Sequence, residues 1–168
     1  MQIPENEYAP FYKGYVDKAM KFSIVEGLLA TLQDYQSFFT SFPSAQWEYL
    51  YAEGKWTPKE LVLHLIDAER VFSYRALMLV RSSGADLKGF DQDEFVENSE
   101  ANARSVASLQ EEFTAVRQAT IALYSSLSDK DLSRTGQVSG ALMSVRALGK
   151  IMIGHCMHHL QIMEERYR

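Results

Sequence analysis

Four histidines occur in the 168-residue chain, and three of them, His155, His158 and His159, fall within five positions. On a helix, His155 and His159 project from one face, because residues four apart lie nearly one above the other. Two imidazoles so placed can take adjacent positions on one metal ion. Met152 and Ile162 continue that stripe, so the face reads as inward. His158 is rotated toward Gly154, Gln161 and Glu165, a line that reads as more exposed, and it stands as the alternative second ligand. His64 lies between Leu63 and Leu65 but shares its face with Leu61, Ala68 and Val71, so it too points inward. As a third ligand from a facing helix, it would complete an open three-histidine site for one divalent ion. The competing reading, hydrogen-bonded core histidines, suits any one of the three better than it suits all of them together.

Three neutral imidazoles leave a divalent ion its full charge and a free coordination position, the pattern of catalytic sites. Imidazole ligands suit several transition metals; zinc or nickel is expected first, manganese or iron next. A small thiol at the free position would be activated as a thiolate and attack an electrophile, which makes the protein a thiol S-transferase. Activated water instead makes it a hydrolase, with a carboxylate as general base. A non-catalytic metal or small-ligand binding module is the third reading. The candidate carboxylates are Asp91, Asp93 and Glu94 in a long connection, and Asp67 and Glu60 within a helical turn of His64. A solvated acidic loop and an exposed helix face explain the same residues equally well, so none receives a catalytic role. Cys156 points about a third of a turn from His155 and reads as a small buried hydrophobe.

Four helices are needed to hold these side chains. The first runs from about Ser23 to Phe42, with Ile24, Leu28, Leu32, Tyr35 and Phe39 at helical spacing. The second opens at Thr57-Pro58-Lys59-Glu60, where Thr57 is an N-cap, Pro58 takes the first helical position and Glu60 completes a capping box. It runs to about Ser82. A third covers about Arg104 to Leu127, with Leu109, Phe113, Val116, Thr120 and Leu123 as its inner stripe, and the last about Met143 to Tyr167. Tyr8, Phe11, Tyr12 and Tyr15 mark an N-terminal segment ordered against the bundle. No alternation is long enough to suggest a sheet.

The connection from Ser83 to Ala103 is too long for a simple hairpin. Its 21 or so residues reach on the order of 70 Å when extended, against about 38 Å for a 25-residue helix, so it can cross the bundle and leave helices two and three parallel. Ligand depth agrees. His64 lies about 9 Å into the second helix, and His155 and His159 about 18 and 24 Å into the fourth. Parallel helices would leave a mean mismatch of about 12 Å, antiparallel ones about 6 Å. The expected fold is an all-α four-helix bundle, up-down-down-up, with a long crossover between helices two and three, in one domain over residues 1–168.

Composition limits the partners. A net charge of −5, from 17 basic and 22 acidic residues, provides no electropositive stripe for nucleic acid. The longest uncharged stretches, Tyr35 to Trp47 and Ile151 to Met163, fall short of the roughly 18 apolar residues that span a bilayer. Glu5, Glu7 and Asp17 stand where a signal peptide would be apolar, and the single Cys156 cannot form an intramolecular disulfide, so a cytoplasmic location is expected.

Several stretches together resemble the DinB-like (DinB/YfiT) superfamily of metal-binding four-helix bundles. They are Glu53-Gly54-Lys55-Trp56-Thr57-Pro58-Lys59-Glu60-Leu61 through His64-Leu65-Ile66-Asp67 and Glu69-Arg70, Gly89-Phe90-Asp91-Gln92-Asp93-Glu94-Phe95-Val96, Ser144-Val145-Arg146-Ala147-Leu148, and Gly154-His155-Cys156-Met157-His158-His159-Leu160. The resemblance covers almost the whole chain. It implies an up-down-down-up bundle whose ligands are one histidine on helix two and a His-x-x-x-His pair on the last helix, here His64, His155 and His159. It also implies an enzyme acting on a small molecule, with bacillithiol or a similar low-molecular-weight thiol as co-substrate in the transferase members, metal-dependent hydrolysis as the alternative, and a homodimer as a further expectation.

Overall fold

Ser23 and Thr57 open the first two long helices in the same way. Each side chain accepts from the backbone N–H three residues on, and Glu26 or Glu60 returns a carboxylate to the cap's own N–H. In the computed structural model, which describes residues 3–168, the bundle consists of α2 (Ile24–Ser41), α3 (Pro58–Arg81), α5 (Val106–Ser125) and α7 (Val145–Arg166). The short helices are α1 (Lys13–Ala19), α4 (Gln92–Glu97) and α6 (Asp129–Leu132). The four long helices match the sequence reading within about two residues, the usual uncertainty of helix ends. Among the described residues, no helix is long and apolar enough to cross a membrane.

Side-chain contacts fix the direction of each helix. Along α3, Glu60, Glu69 and Ser73 meet Asn102, Arg117 and Thr120 in ascending order, so α3 and α5 run parallel. Along α7 the order is reversed: Trp56, His64 and Ser73 meet Tyr167, His155 and Met152, which makes α3 and α7 antiparallel. Tyr35 hydrogen-bonds Cys156 O and Ser41 meets Arg168, so α2 follows α7. The result is up-down-down-up.

The crossover between α3 and α5 returns the chain to the start of α3. There Asn102 bonds Thr57 at 2.8 Å and Glu60 at 3.0 Å, and its carbonyl accepts from Lys59. Its other end is pinned by a small sheet, contrary to the expectation of none. β1 (Asp86–Leu87) pairs parallel with β2 (Thr135–Val138), which pairs antiparallel with β3 (Ala141–Ser144). Strands of two and four residues carry too little alternation to be read. The turn between β2 and β3, Ser139-Gly140, has φ of 53° and 78°, the left-handed pair that tight hairpins require. Arg75 ties crossover to hairpin by donating to Lys88 O at 2.8 Å and Ser139 Oγ at 3.2 Å, with its guanidinium over the rings of Phe72 and Phe90.

Two further expectations need correction. The inner stripe of α5 is Leu109, Phe113, Arg117, Thr120 and Tyr124, while Val116 and Leu123 are only half-buried. A charged residue holds the central inner position because Glu69 on α3 meets it. Gly154 is buried, not exposed: α1 lies against it, and a Cβ there would stand 1.9 Å from Tyr15 O. The missing side chain lets the N-terminal aromatic segment dock on α7.

Candidate metal centre

His64 sits in the second turn of α3, and His155 and His159 sit on consecutive turns of α7. Antiparallel packing brings them to one level. Their Nε2 atoms face one another, with His155 Nε2 3.0 Å from both His64 Nε2 and His159 Nε2. One ligand atom from each lies within 4.8 Å of the others. His158 does not join them. It is half-buried, with its ring 5.4 Å from Tyr15 and 5.1 Å from His159.

Burial governs the charge state. It pushes the His64 imidazole down to about 4 and, with His64 and His158 adding repulsion, His159 down to about 3. His155 is lowered well below its ordinary value, by burial first and then by the neighbouring histidines. All three are therefore neutral near pH 7, the state that offers a lone pair. Hydrogen bonding alone serves them poorly, since the single Nε2 of His155 faces two others and the buried His159 Nδ1 has no hydrogen-bond partner. A tetrahedral ion with bonds of about 2.05 Å separates its ligand nitrogens by about 3.3 Å. The two separations of 3.0 Å open to that value with a small outward adjustment, and the third lies within 4.8 Å.

Aromatic residues complete the surroundings. Trp56 lies against His64 at 4.9 Å between ring centroids, and Tyr15 lies against His155 at 5.2 Å. A cavity of about 300 Å³ opens on all three histidines between Phe11, Tyr12, Tyr15, Phe72, Phe90 and Trp56. Gln92, at the start of α4, is its polar wall residue outside the histidines and tyrosines. On the other side of Trp56, a cleft of about 370 Å³ reaches His159 past Lys55, Asp93 and Tyr167.

The candidate carboxylates separate accordingly. Asp93 lines the second cleft, so the crossover does fold toward the histidines. Asp91 caps α4, accepting from the N–H groups of Asp93 and Glu94, while Glu94 is exposed. Glu60 is held in its capping box and by Asn102. Asp67 lies 3.9 Å from Arg70, its carboxyl raised mainly by burial. Cys156 faces away from the imidazoles, with its Sγ 2.9 Å from Arg117 Nη2 and its thiol pushed up to about 11 by burial. It is no thiolate at neutral pH.

Tyr12, Phe72 and Gln92 were not singled out from sequence as parts of the site. Phe72 stands two turns after His64 on the same face, so helical spacing carried that signal. Gln92 had none, because its placement depends on the path of the crossover.

The sequence pattern of the DinB superfamily matches residues 28–163, a span that includes all three histidines. The chain belongs to the DinB superfamily. Among solved structures, this DinB-superfamily chain is similar to YfiT from Bacillus subtilis, described as a probable metal-dependent hydrolase with an unusual four-helix bundle topology. The likeness has a TM-score of 0.74 at 17% identity and covers 98% of this chain and 90% of YfiT, which shows a shared fold. No curated protein matches the sequence.

Proposed function

We propose that His64, His155 and His159 bind one divalent ion and that the protein is a metal-dependent thiol S-transferase acting on an uncharged small molecule. The observation that carries this reading is the aromatic cavity opening on three neutral imidazoles. When bound, the ion supplies Lewis acidity, lowering the pKa of a thiol held at its free position. The imidazoles add no negative charge, so a thiolate is favoured there. Phe72, Phe90 and Trp56 would bury an apolar electrophile and exclude water from it, with the exposed Phe11 at the rim. In the reaction the thiol gives its proton to solvent, its sulfur bonds to the electrophilic carbon, and the leaving group departs with the electron pair of the broken bond.

Zinc or nickel suits the ligand set first. Bacillithiol or another low-molecular-weight thiol would be the co-substrate. A second reading, metal-dependent hydrolysis, is favoured by Asp93 in the cleft that shares His159, where a carboxylate could hold a proton, and by the description of YfiT.

The test mixes metal-replete protein with a haloaromatic electrophile and a panel of thiols. Conjugation that falls on chelation and in His64→Ala, and returns when metal is restored to the wild type, is expected. No conjugation above background across several thiols and metals would overturn the transferase reading, and thiol-independent ester or amide cleavage would support the second.

A further inference from the structure

The aromatic cavity, which meets all three histidines, and the cleft that meets His159 alone differ in chemistry. The cavity on one side of Trp56 is walled by aromatic rings, with no charged residue among those lining it. The cleft on the other side carries Lys55 and Asp93, both exposed and neither in an ion pair among the described residues. Trp56 and His159 belong to both. So does the first turn of α4, whose consecutive residues diverge: Gln92 faces the aromatic cavity and Asp93 the charged cleft. One indole and one helical turn thus separate a cavity that meets all three histidines from a cleft that reaches the cluster at His159.

A hydrolase of a single small substrate has no evident use for two unlike routes, whereas a reaction joining two substrates does. Lys55 and Asp93 offer one positive and one negative group on the same cleft. The matching ligand carries a carboxylate and an ammonium, the charge pattern of an amino acid. We propose that the charged cleft is the thiol subsite and selects a cysteine-like zwitterionic thiol, that the aromatic cavity takes the electrophile, and that Trp56 is the partition between them. This rests on the thiol-transferase reading and specifies its co-substrate. Exposed charges act mainly through complementarity rather than large binding energy, so discrimination between thiols is the quantity to measure.

The experiment is a titration of the cobalt-loaded protein with L-cysteine and with 2-mercaptoethanol, following the sulfur-to-cobalt charge-transfer absorption. L-cysteine should bind about tenfold more tightly than 2-mercaptoethanol. Lys55→Glu and Asp93→Lys should each remove most of that preference while leaving 2-mercaptoethanol within about twofold of the wild type. Phe11→Ser, on the aromatic side, should leave both thiol affinities unchanged and raise the KM for a haloaromatic electrophile. Equal affinities for the two thiols, or charge reversals that shift both alike, would overturn the two-cleft assignment while the transferase reading stands. Absence of the absorption band with either thiol would overturn both.

Discussion

Two polar clusters lie buried in the bundle, one on each side of α7, and they are built on opposite principles. Around Arg117 every donor is used. Nε and Nη2 fork onto Glu69 at 2.7–3.0 Å, Nη2 also meets Cys156 Sγ, and Nη1 donates to Leu28 O and the Thr31 hydroxyl. That cluster joins all four long helices and has nothing left to offer a ligand. The histidine cluster, which shares α3 with Glu69 and adjoins Cys156 at His155, carries no charge and crowds three Nε2 atoms together with more lone pairs than protons to share. A protein core can satisfy a buried charge completely, as the first cluster shows. The incompleteness of the second therefore points to a ligand.

The largest effect expected from this contrast is on folding. Arg117→Met strands the Glu69 carboxylate in the core and should cost about 3–5 kcal/mol of stability, whereas His64→Ala in metal-free protein should cost about 1–2 kcal/mol. Denaturant unfolding of both variants measures the difference. Similar losses would mean that the histidines, too, are a structural cluster.

Next comes the response to metal. Ion at about 100 times its Kd should stabilise the wild type by about 2.7 kcal/mol, and it should do so in the cysteine variant Cys156→Ala but not in His64→Ala or His155→Ala. Thermal unfolding with and without added metal reads this directly.

A somewhat smaller effect should follow from pH. The folded protein holds its three histidines neutral, with His64 near 4 and His159 near 3, while the unfolded chain takes up protons below about 6.5. Because the folded values are depressed, their contribution is fully present above pH 6.5 and declines as pH falls toward 4 and then 3. At pH 5, His64 alone should lower the stability of metal-free protein by about 2 kcal/mol, and His64→Ala should flatten that slope. An unchanged slope would contradict the neutral, buried state.

The contrast also explains what the sequence could reveal. The histidines were legible because their spacing is local: four residues on one helix, and a capped helix start that sets the depth of His64. The crossover length and those depths were enough for the topology. Arg117 was not legible, since a charged side chain on an inner stripe makes sense only once Glu69 faces it from another helix. The sheet escaped because its strands are shorter than any period, although Ser139-Gly140 is a turn signal. Gly154 read as exposed because it shares a helix line with Gln161 and Glu165, yet its lack of a side chain is what admits α1 and Tyr15. The charged cleft depends on bringing Lys55 and Asp93 together across a long crossover, which no local pattern records.

The central claim is that the three facing imidazoles are metal ligands, and elemental analysis of protein purified without chelator tests it most directly. The wild type should carry about one divalent ion per chain; His159→Ala should lose it, and His158→Ala, whose ring lies outside the cluster, should keep it. A wild type with no bound metal and no uptake on titration, or equal losses in the two variants, would contradict the account.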